Sequence, residues 1–512
     1  MVLDAWLEGV QLTQTVFVIL FVISTVLVGL WAERLISDPD EYYGATKLFG
    51  AAVITLASMS GIMSAFGFIG GPGLVYQMGT SSLYMTFAAG LGFAMAYWMI
   101  GKRVRGMADV ADIGTLPDIV DERFQSPAAR GLLALILCLA CISYLASQVA
   151  GGGYVLSVLL GVSMEVAVWT VFGAIILYIA FGGMAAAQLS GAYTGAVMLI
   201  GAVGAVIGFF QVAGGMTEVT MTTAQAGEVS NGDIVKAFTP EMMDGFGLAK
   251  ASAPGLLLIW PIIFSIGVVG QPQVLQRMYS IDDPEGLRTV GLISGVTYAV
   301  GSLLWLLIGF AALYLVADGT IEPMADPDFA ALYFVEQLHI VIQLIIYAGL
   351  VAAIMSTAGF FLSVASGSIA RDFTRMLGLE LSESRETWLG RVTTLVIGVA
   401  SVLFGLYGGH LVAILGTFGW GTFVSGTFPA VVIGLLWKGC SREGVVAGLA
   451  TAVLLNVALL VATQLGYAFP IGMDFYFIAI VAAIVVTVGV SLVTDGASGE
   501  NMPERLKPVF DL

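Results

Sequence analysis

The stretch that decides the fold is Ser58-Met59-Ser60-Gly61-Ile62-Met63-Ser64-Ala65-Phe66-Gly67-Phe68-Ile69-Gly70-Gly71-Pro72-Gly73. It lies inside an uncharged run over 48–77, and a hydrocarbon core takes about 20 apolar residues to cross. The glycines, serines and proline loosen a helix, because they free backbone groups or compete for them. Within a bilayer such groups are tolerated only where protein or a polar cavity surrounds them. The stretch therefore predicts a broken membrane helix whose carbonyls and hydroxyls face an enclosed site. A second interruption, Trp260-Pro261 and then Gly267-Val268-Val269-Gly270-Gln271-Pro272, follows five apolar spans later. Kinking explains either one alone; their spacing is that of two inverted five-helix repeats.

The composition agrees. Of 512 residues, 58% are apolar and 11% charged, whereas a soluble domain carries about a quarter charged residues. Collagen-like, disordered and nucleic-acid-binding classes are excluded, and the period-two alternation of a membrane β-barrel is not visible. The 65 glycines suit closely packed membrane helices. The expected class is an all-α integral membrane protein with thirteen transmembrane helices in one transporter domain, 1–512. The predicted spans are 13–32, 48–77, 82–101, 130–160, 164–182, 187–213, 254–276, 289–317, 334–370, 390–408, 411–437, 444–466 and 471–493. Spans 2–6 (48–213) and 7–11 (254–437) form the two repeats, with broken helices in spans 2 and 7. The helices 13–32, 444–466 and 471–493 are accessory.

Basic residues test this count, because cytoplasmic loops collect lysine and arginine. With the N-terminus outside and the C-terminus cytoplasmic, seventeen of the nineteen fall inside. The exceptions, Lys236 and Lys250, belong to the long loop 214–253. The expected location is the plasma membrane. Asp4 and Glu8, with no basic residue before Arg34, do not make a cleavable signal peptide. The net charge of −16 reads as a solvated surface rather than a docking site for a cationic partner. Cys138, Cys141 and Cys440 lie in or beside apolar segments and read as packing residues, with no disulfide framework.

Every Asp, Glu, Lys and Arg can be placed in a loop or at a helix end. That leaves no buried carboxylate pair for proton pumping, no arginine ladder and no metal cluster. His339 and His410 fall near membrane edges. No enzyme is expected, because the spans lack a nucleophile, base or metal ligands, and an ion channel lacks its filter. The chemistry is left to uncharged oxygens. In Ala352-Ala353-Ile354-Met355-Ser356-Thr357, two hydroxyls and the Ala353 carbonyl could offer three oxygens to a small hard cation. The other reading, that both hydroxyls bond their own i−4 carbonyls, stays open on spacing alone.

The chain resembles the sodium/solute symporters, which share the leucine-transporter fold. The likeness rests on five motifs in the family's order: Gly70-Gly71-Pro72-Gly73; Gly182-Gly183-Met184; Gly270-Gln271-Pro272 followed by Arg277; Ala352 to Thr357; and Pro429 with Gly434-Leu435-Leu436-Trp437-Lys438. The resemblance implies a Na+ site formed by the carbonyls of Ser60, Met63 and Ala353 and the hydroxyls of Ser356 and Thr357. Some members carry an aspartate where this chain has Ile62, and others where it has Gly191, the latter serving a second Na+. One Na+ is therefore expected. For substrate, the resemblance nominates Ser64, Gly67, Tyr144, Gln148, Phe264, Gln271 and Trp420. The stretch Tyr144-Leu145-Ala146-Ser147-Gln148 running into Gly151-Gly152-Gly153 looks like the acetate and monocarboxylate branch.

The implied function is secondary symport by alternating access of a small organic solute, a short anionic monocarboxylate first. A proline-like amino acid, pantothenate or a sugar is the alternative cargo. A solute sensor working with a separate signalling partner is the reading of another class. The expected partners are the solute and the lipid bilayer, with no nucleic acid. The oligomeric state is left open, a monomer being compatible.

Overall fold

The computed structural model describes residues 2–64, 66–230, 260–324, 327–408, 411–467, 475–494 and 503–511. Among them the regular structure is helical, apart from one isolated bridge between Phe49 and Ile281. The first half comprises α1 (Val2–Ala32), α2 (Pro39–Gly44), α3 (Ala51–Ile62), α4 (Gly71–Met78), α5 (Leu83–Val110), α6 (Leu116–Phe124), α7 (Pro127–Leu160), α8 (Met164–Ala213) and α9 (Met216–Ser230). The second comprises α10 (Trp260–Val269), α11 (Pro272–Ser280), α12 (Leu287–Ala317), α13 (Ala330–Glu336), α14 (Ile340–Gly367), α15 (Thr374–Met376), α16 (Glu383–Tyr407), α17 (Leu411–Thr427), α18 (Gly434–Leu436), α19 (Arg442–Gln464), α20 (Phe475–Val493) and α21 (Lys507–Phe510). Eight helices among the described residues are long and apolar enough to cross a membrane.

Both interruptions are real breaks. α3 ends where Met63 turns extended at φ −76°, ψ 94°, and the chain resumes through a π-helical turn, Phe66–Gly70, into α4. α10 stops at Val269, Gln271 is extended (φ −74°, ψ 131°), and Pro272 opens α11 at a position where its missing N–H costs nothing. At one end of the molecule the halves are tied by backbone. Leu48 and Phe49 donate to the Ser280 carbonyl at 3.0 and 3.1 Å, and Asp282 donates to that of Phe49 at 3.0 Å.

The junction expected between the fifth and sixth spans falls at Gly183, where a non-helical φ of 48° and ψ of −138°, readily adopted by glycine alone, kinks the long element α8 into two helical segments. A side chain there would also run into the Tyr42 carbonyl. The ninth span does not start at 334. Gln337 to His339 separate α13 from α14, and His339, extended at φ −63° and ψ 142°, caps α14 by accepting from Val341 N–H. His410, most of loop 214–253 and the starts of the seventh and thirteenth spans lie outside the described residues.

The placement of every charge in a loop or at a helix end is also overturned. α14 continues through a π-helical turn, Ser368–Phe373, into α15, so Arg371 and Asp372 are helical and fully buried. Arg371 pairs with Asp40, with Asp118 at 2.9 Å and with Glu386 at 3.1 Å. Arg130 reaches Asp118 at 2.9 Å and Asp121 at 3.1 Å. This network joins α2, α6, α7, α14 and α16 at the basic end of the molecule. Beside it Phe510 is buried, its ring 5.0 Å from the Arg123 guanidinium. Arg277, also expected in a loop, is buried within α11. The three cysteines are buried and free, as the sequence implies.

Candidate functional site

The break in α3 faces an unbroken stretch of α14. Ser356 Oγ donates to the Ser60 carbonyl at 2.9 Å, and Thr357 Oγ1 lies 3.3 Å from the Met63 carbonyl. Ser356 Oγ also lies 3.1 Å from the Ala353 carbonyl on its own helix. The alternative in which both hydroxyls turn back to i−4 carbonyls does not hold: each crosses to α3. The structure thus brings Ser60, Met63, Ala353, Ser356 and Thr357 together, all buried. The freed carbonyls exist because Met63 has left the helix, while Ser356 and Thr357 lie in an unbroken stretch of α14 that packs against the break. Five neutral oxygens in a buried setting suit a hard monovalent cation, since hard cations take oxygen ligands.

α8 supports α3 from behind. Ser60 Oγ donates to the Gly191 carbonyl at 2.7 Å, and Thr194 Oγ1 reaches the same carbonyl at 3.1 Å. A Cβ at Gly191 would stand 3.4 Å from Ser60 Oγ, so the two helices approach closely there.

The residues nominated for substrate fall into two linked groups. Tyr144 OH donates to Ser64 Oγ at 2.9 Å, and that oxygen lies 3.4 Å from the Gly67 amide. Gly67 is half-buried and a methyl added to it meets no atom within 4 Å, so the backbone there borders open space. Gln148, buried, follows Tyr144 by one turn of α7. On the other side Gln271 Nε2 donates to the Trp420 carbonyl at 3.3 Å, and the Trp420 indole lies against Gly267, where a Cβ would sit 3.2 Å from Nε1. Phe264 is on α10, but its side chain lies outside the described residues.

Residues that sequence reasoning missed connect the two groups. The Tyr144 ring lies 4.8 Å from Phe361, which stacks on Phe423 at 5.0 Å with planes 9° apart. Thr427 Oγ1 lies within hydrogen-bond reach of the Gly270 carbonyl at the second break and 2.7 Å from Phe423 O, its single proton serving one or shared between them. The hint was Thr427-Phe428-Pro429, where proline sits in the first positions of a π-helical turn, Phe428–Ile433. Among the described residues nominated for this pocket none is charged, and no group of three or more metal-binding side chains occurs.

Two helices broken in mid-span, their free carbonyls turned toward hydroxyls on unbroken neighbours, define a membrane solute transporter. The chain belongs to the Sodium:solute symporter family, which residues 42–452 match, and Na+ is its coupling ion. It is similar to the osmoregulated proline transporter OpuE of Bacillus subtilis (strain 168), 26% identical over 438 residues, covering 84% of this chain and 85% of that protein. It is also similar to the sodium/proline symporter of Escherichia coli (strain K12), 24% identical over 440 residues, 84% of each. These relatives are proline transporters rather than members of the acetate and monocarboxylate branch. In fold it matches a Na+-coupled sialic acid symporter in a substrate-bound outward-open state, with a TM-score of 0.73 at 17% identity, over 94% of this chain and 98% of that one.

Proposed function

We propose that the protein couples the Na+ gradient to the uptake of a small solute bearing a carboxylate, by alternating access about the two breaks. The observation that carries this reading is the crossing of Ser356 and Thr357 to the Ser60 and Met63 carbonyls. These hydroxyls tie α3 to α14 through the oxygens that hold Na+, together with Ala353 O. One Na+ is taken per cycle, as Gly191 offers no carboxylate for a second. Binding there fixes the break, and the break carries Ser64 toward Tyr144, so Na+ orders the substrate pocket. Linkage makes the effect mutual, typically 5- to 150-fold in affinity.

Ser64, Gly67, Tyr144, Gln148, Phe264, Gln271 and Trp420 surround the solute. With no fixed cation among them, the carboxylate is held by Na+, hydroxyls and the amides at helix starts. A proline-like imino acid is the first cargo to test, since the named relatives are proline transporters and broken-helix carbonyls suit its ammonium. A short monocarboxylate is the second reading, carried by the Tyr144–Gly153 stretch. The architecture accompanying this function is thirteen spans in two inverted five-helix repeats, the breaks in α3–α4 and α10–α11 occupying equivalent helices. The N-terminus is outside and the basic end faces the cytoplasm of a plasma membrane.

The test is uptake into proteoliposomes of labelled proline, acetate, propionate and pyruvate under an inward Na+ gradient, with an equal K+ gradient as control. Na+-driven uptake of proline or of one monocarboxylate is expected. Uptake of none of these carboxylates, or uptake independent of Na+, overturns the reading.

A further inference from the structure

Arg277 is the most anomalous charge in the molecule. Its side chain is fully buried on α11, with no carboxylate partner among the described residues. Arg371, equally buried, is ringed by Asp40, Asp118 and Glu386. The contacts of Arg277 are neutral: Nε donates to Gln188 Oε1 at 2.9 Å, Nη1 donates to the Gln273 carbonyl one turn back, and the guanidinium lies 4.7 Å from the Phe360 ring centroid. Among the described residues Nη2 has no hydrogen-bond partner, and neither do the buried side-chain oxygens of Gln273 and Gln276. A buried charge left without a counter-charge is costly, and in a membrane helix it marks function by default.

Its position says which function. Arg277 is six residues beyond the break at Gln271, about 9 Å along the axis toward the basic end at 1.5 Å per residue. It packs on α3, where a Cβ at Gly61 would fall 2.5 Å from both Nη atoms. Phe360 follows Ser356 by one turn of α14. The guanidinium therefore stands between α3, α11, α14 and α8, just past the proposed Na+ and solute sites, and those elements separate if the basic end opens.

We propose that Arg277 is a second, transient binding station for the solute's carboxylate on its way to the basic face. This rests on the reading of the cargo as a carboxylate. In this structure Nη2 has no hydrogen-bond partner among the described residues. When α3 and α11 part from α14, the arriving carboxylate becomes the missing counter-ion, and the amide groups of Gln188, Gln273 and Gln276 provide donors for its second oxygen. The station favours movement out of the primary site without adding a fixed charge to it.

The decisive variant is Gln273→Glu, which places a permanent carboxylate four residues before Arg277, the favourable geometry for an intrahelical ion pair. If Arg277 is a purely structural cation, the new pair leaves transport within twofold of wild type. If it is a solute station, the fixed carboxylate occupies it: net Na+-driven uptake of labelled proline or acetate falls at least tenfold. Equilibrium binding of the same solute to the purified protein stays within twofold, and the thermal midpoint does not fall. Arg277→Gln should show the same split between binding and uptake, with partial recovery in Arg277→Lys. Uptake within twofold of wild type in Gln273→Glu, or equal losses of binding and uptake, overturns the proposal. A wild-type protein that moves no carboxylate defeats the functional reading first, and this proposal with it.

Discussion

Thr357 Oγ1 lies 3.3 Å from the carbonyl of Met63, 294 residues earlier in the chain, and that carbonyl is available because Met63 has left its helix. One hydroxyl thus reads the state of the break across a helix interface. Removing it should weaken ion binding without disturbing the fold.

In the proposed Na+ site, Ser356→Ala and Thr357→Ala each delete one ligand to a charged species. At about 1.5–3 kcal/mol per charge-assisted contact, each should raise the Na+ concentration for half-maximal uptake about tenfold or more. The double variant should lose Na+ stimulation while keeping its thermal transition. Na+ titration of uptake and of tryptophan fluorescence checks this; unchanged sodium dependence in the double variant would remove both residues from the site.

Tyr144→Phe deletes the donor to Ser64 Oγ and leaves the ring beside Phe361. A neutral hydrogen bond contributes about 1 kcal/mol, so solute half-saturation should rise about fivefold. Because the pocket and the ion site share the break, Na+ half-saturation should rise in the same direction. A solute constant identical to wild type would place Tyr144 among the packing residues.

Asp118 anchors the network at the basic end. Burial alone would raise its pKa, but the guanidiniums of Arg371, Arg130 and Arg375 and the Gly114 amide hold it well below the usual carboxylate range. A depressed folded pKa gives stability that is complete above the ordinary value of 3.8 and is lost as pH falls through the folded one. The Asp118 contribution should therefore be constant from pH 8 to pH 5 and fade only in strong acid. Asp118→Asn leaves buried arginines underpaired and should cost about 3–5 kcal/mol, read as a lower thermal midpoint across that whole neutral range. A midpoint equal to wild type at pH 7 would contradict the pairing.

Gly183→Ala tests the bend of α8. The backbone is left-handed there and the added methyl meets the Tyr42 carbonyl. Strain of this kind costs about 1–3 kcal/mol before any clash is counted. Gly173→Ala is the control on the same helix, since nothing lies within 4 Å of a Cβ there. A clear loss of yield and midpoint at 183, with none at 173, is the expected result.

Composition and local chemistry made a large part of this protein legible in advance. Charge-free runs must be helices in a bilayer, because lipid leaves backbone groups no other partner, so the class and most element positions follow from one-dimensional pattern. The breaks were equally readable, since glycine and proline act on their own backbone: Gly61 to Gly73 and Gly270-Gln271-Pro272 fall where the helices stop. The oxygens of Ser356 and Thr357 could be nominated, but not their direction. Whether a hydroxyl turns to its own helix or across to Ser60 and Met63 depends on which helix lies alongside, and that is set by packing between segments some 300 residues apart. The same reason hid the buried arginines. Arg277 and Arg371 sit near the ends of apolar runs, where a charge normally finds water. Tertiary packing instead enclosed both and, among the described residues, gave carboxylates to one alone, a difference that exists only once α2, α6 and α16 have closed around Arg371 while glutamines, Gly61 and Phe360 have closed around Arg277.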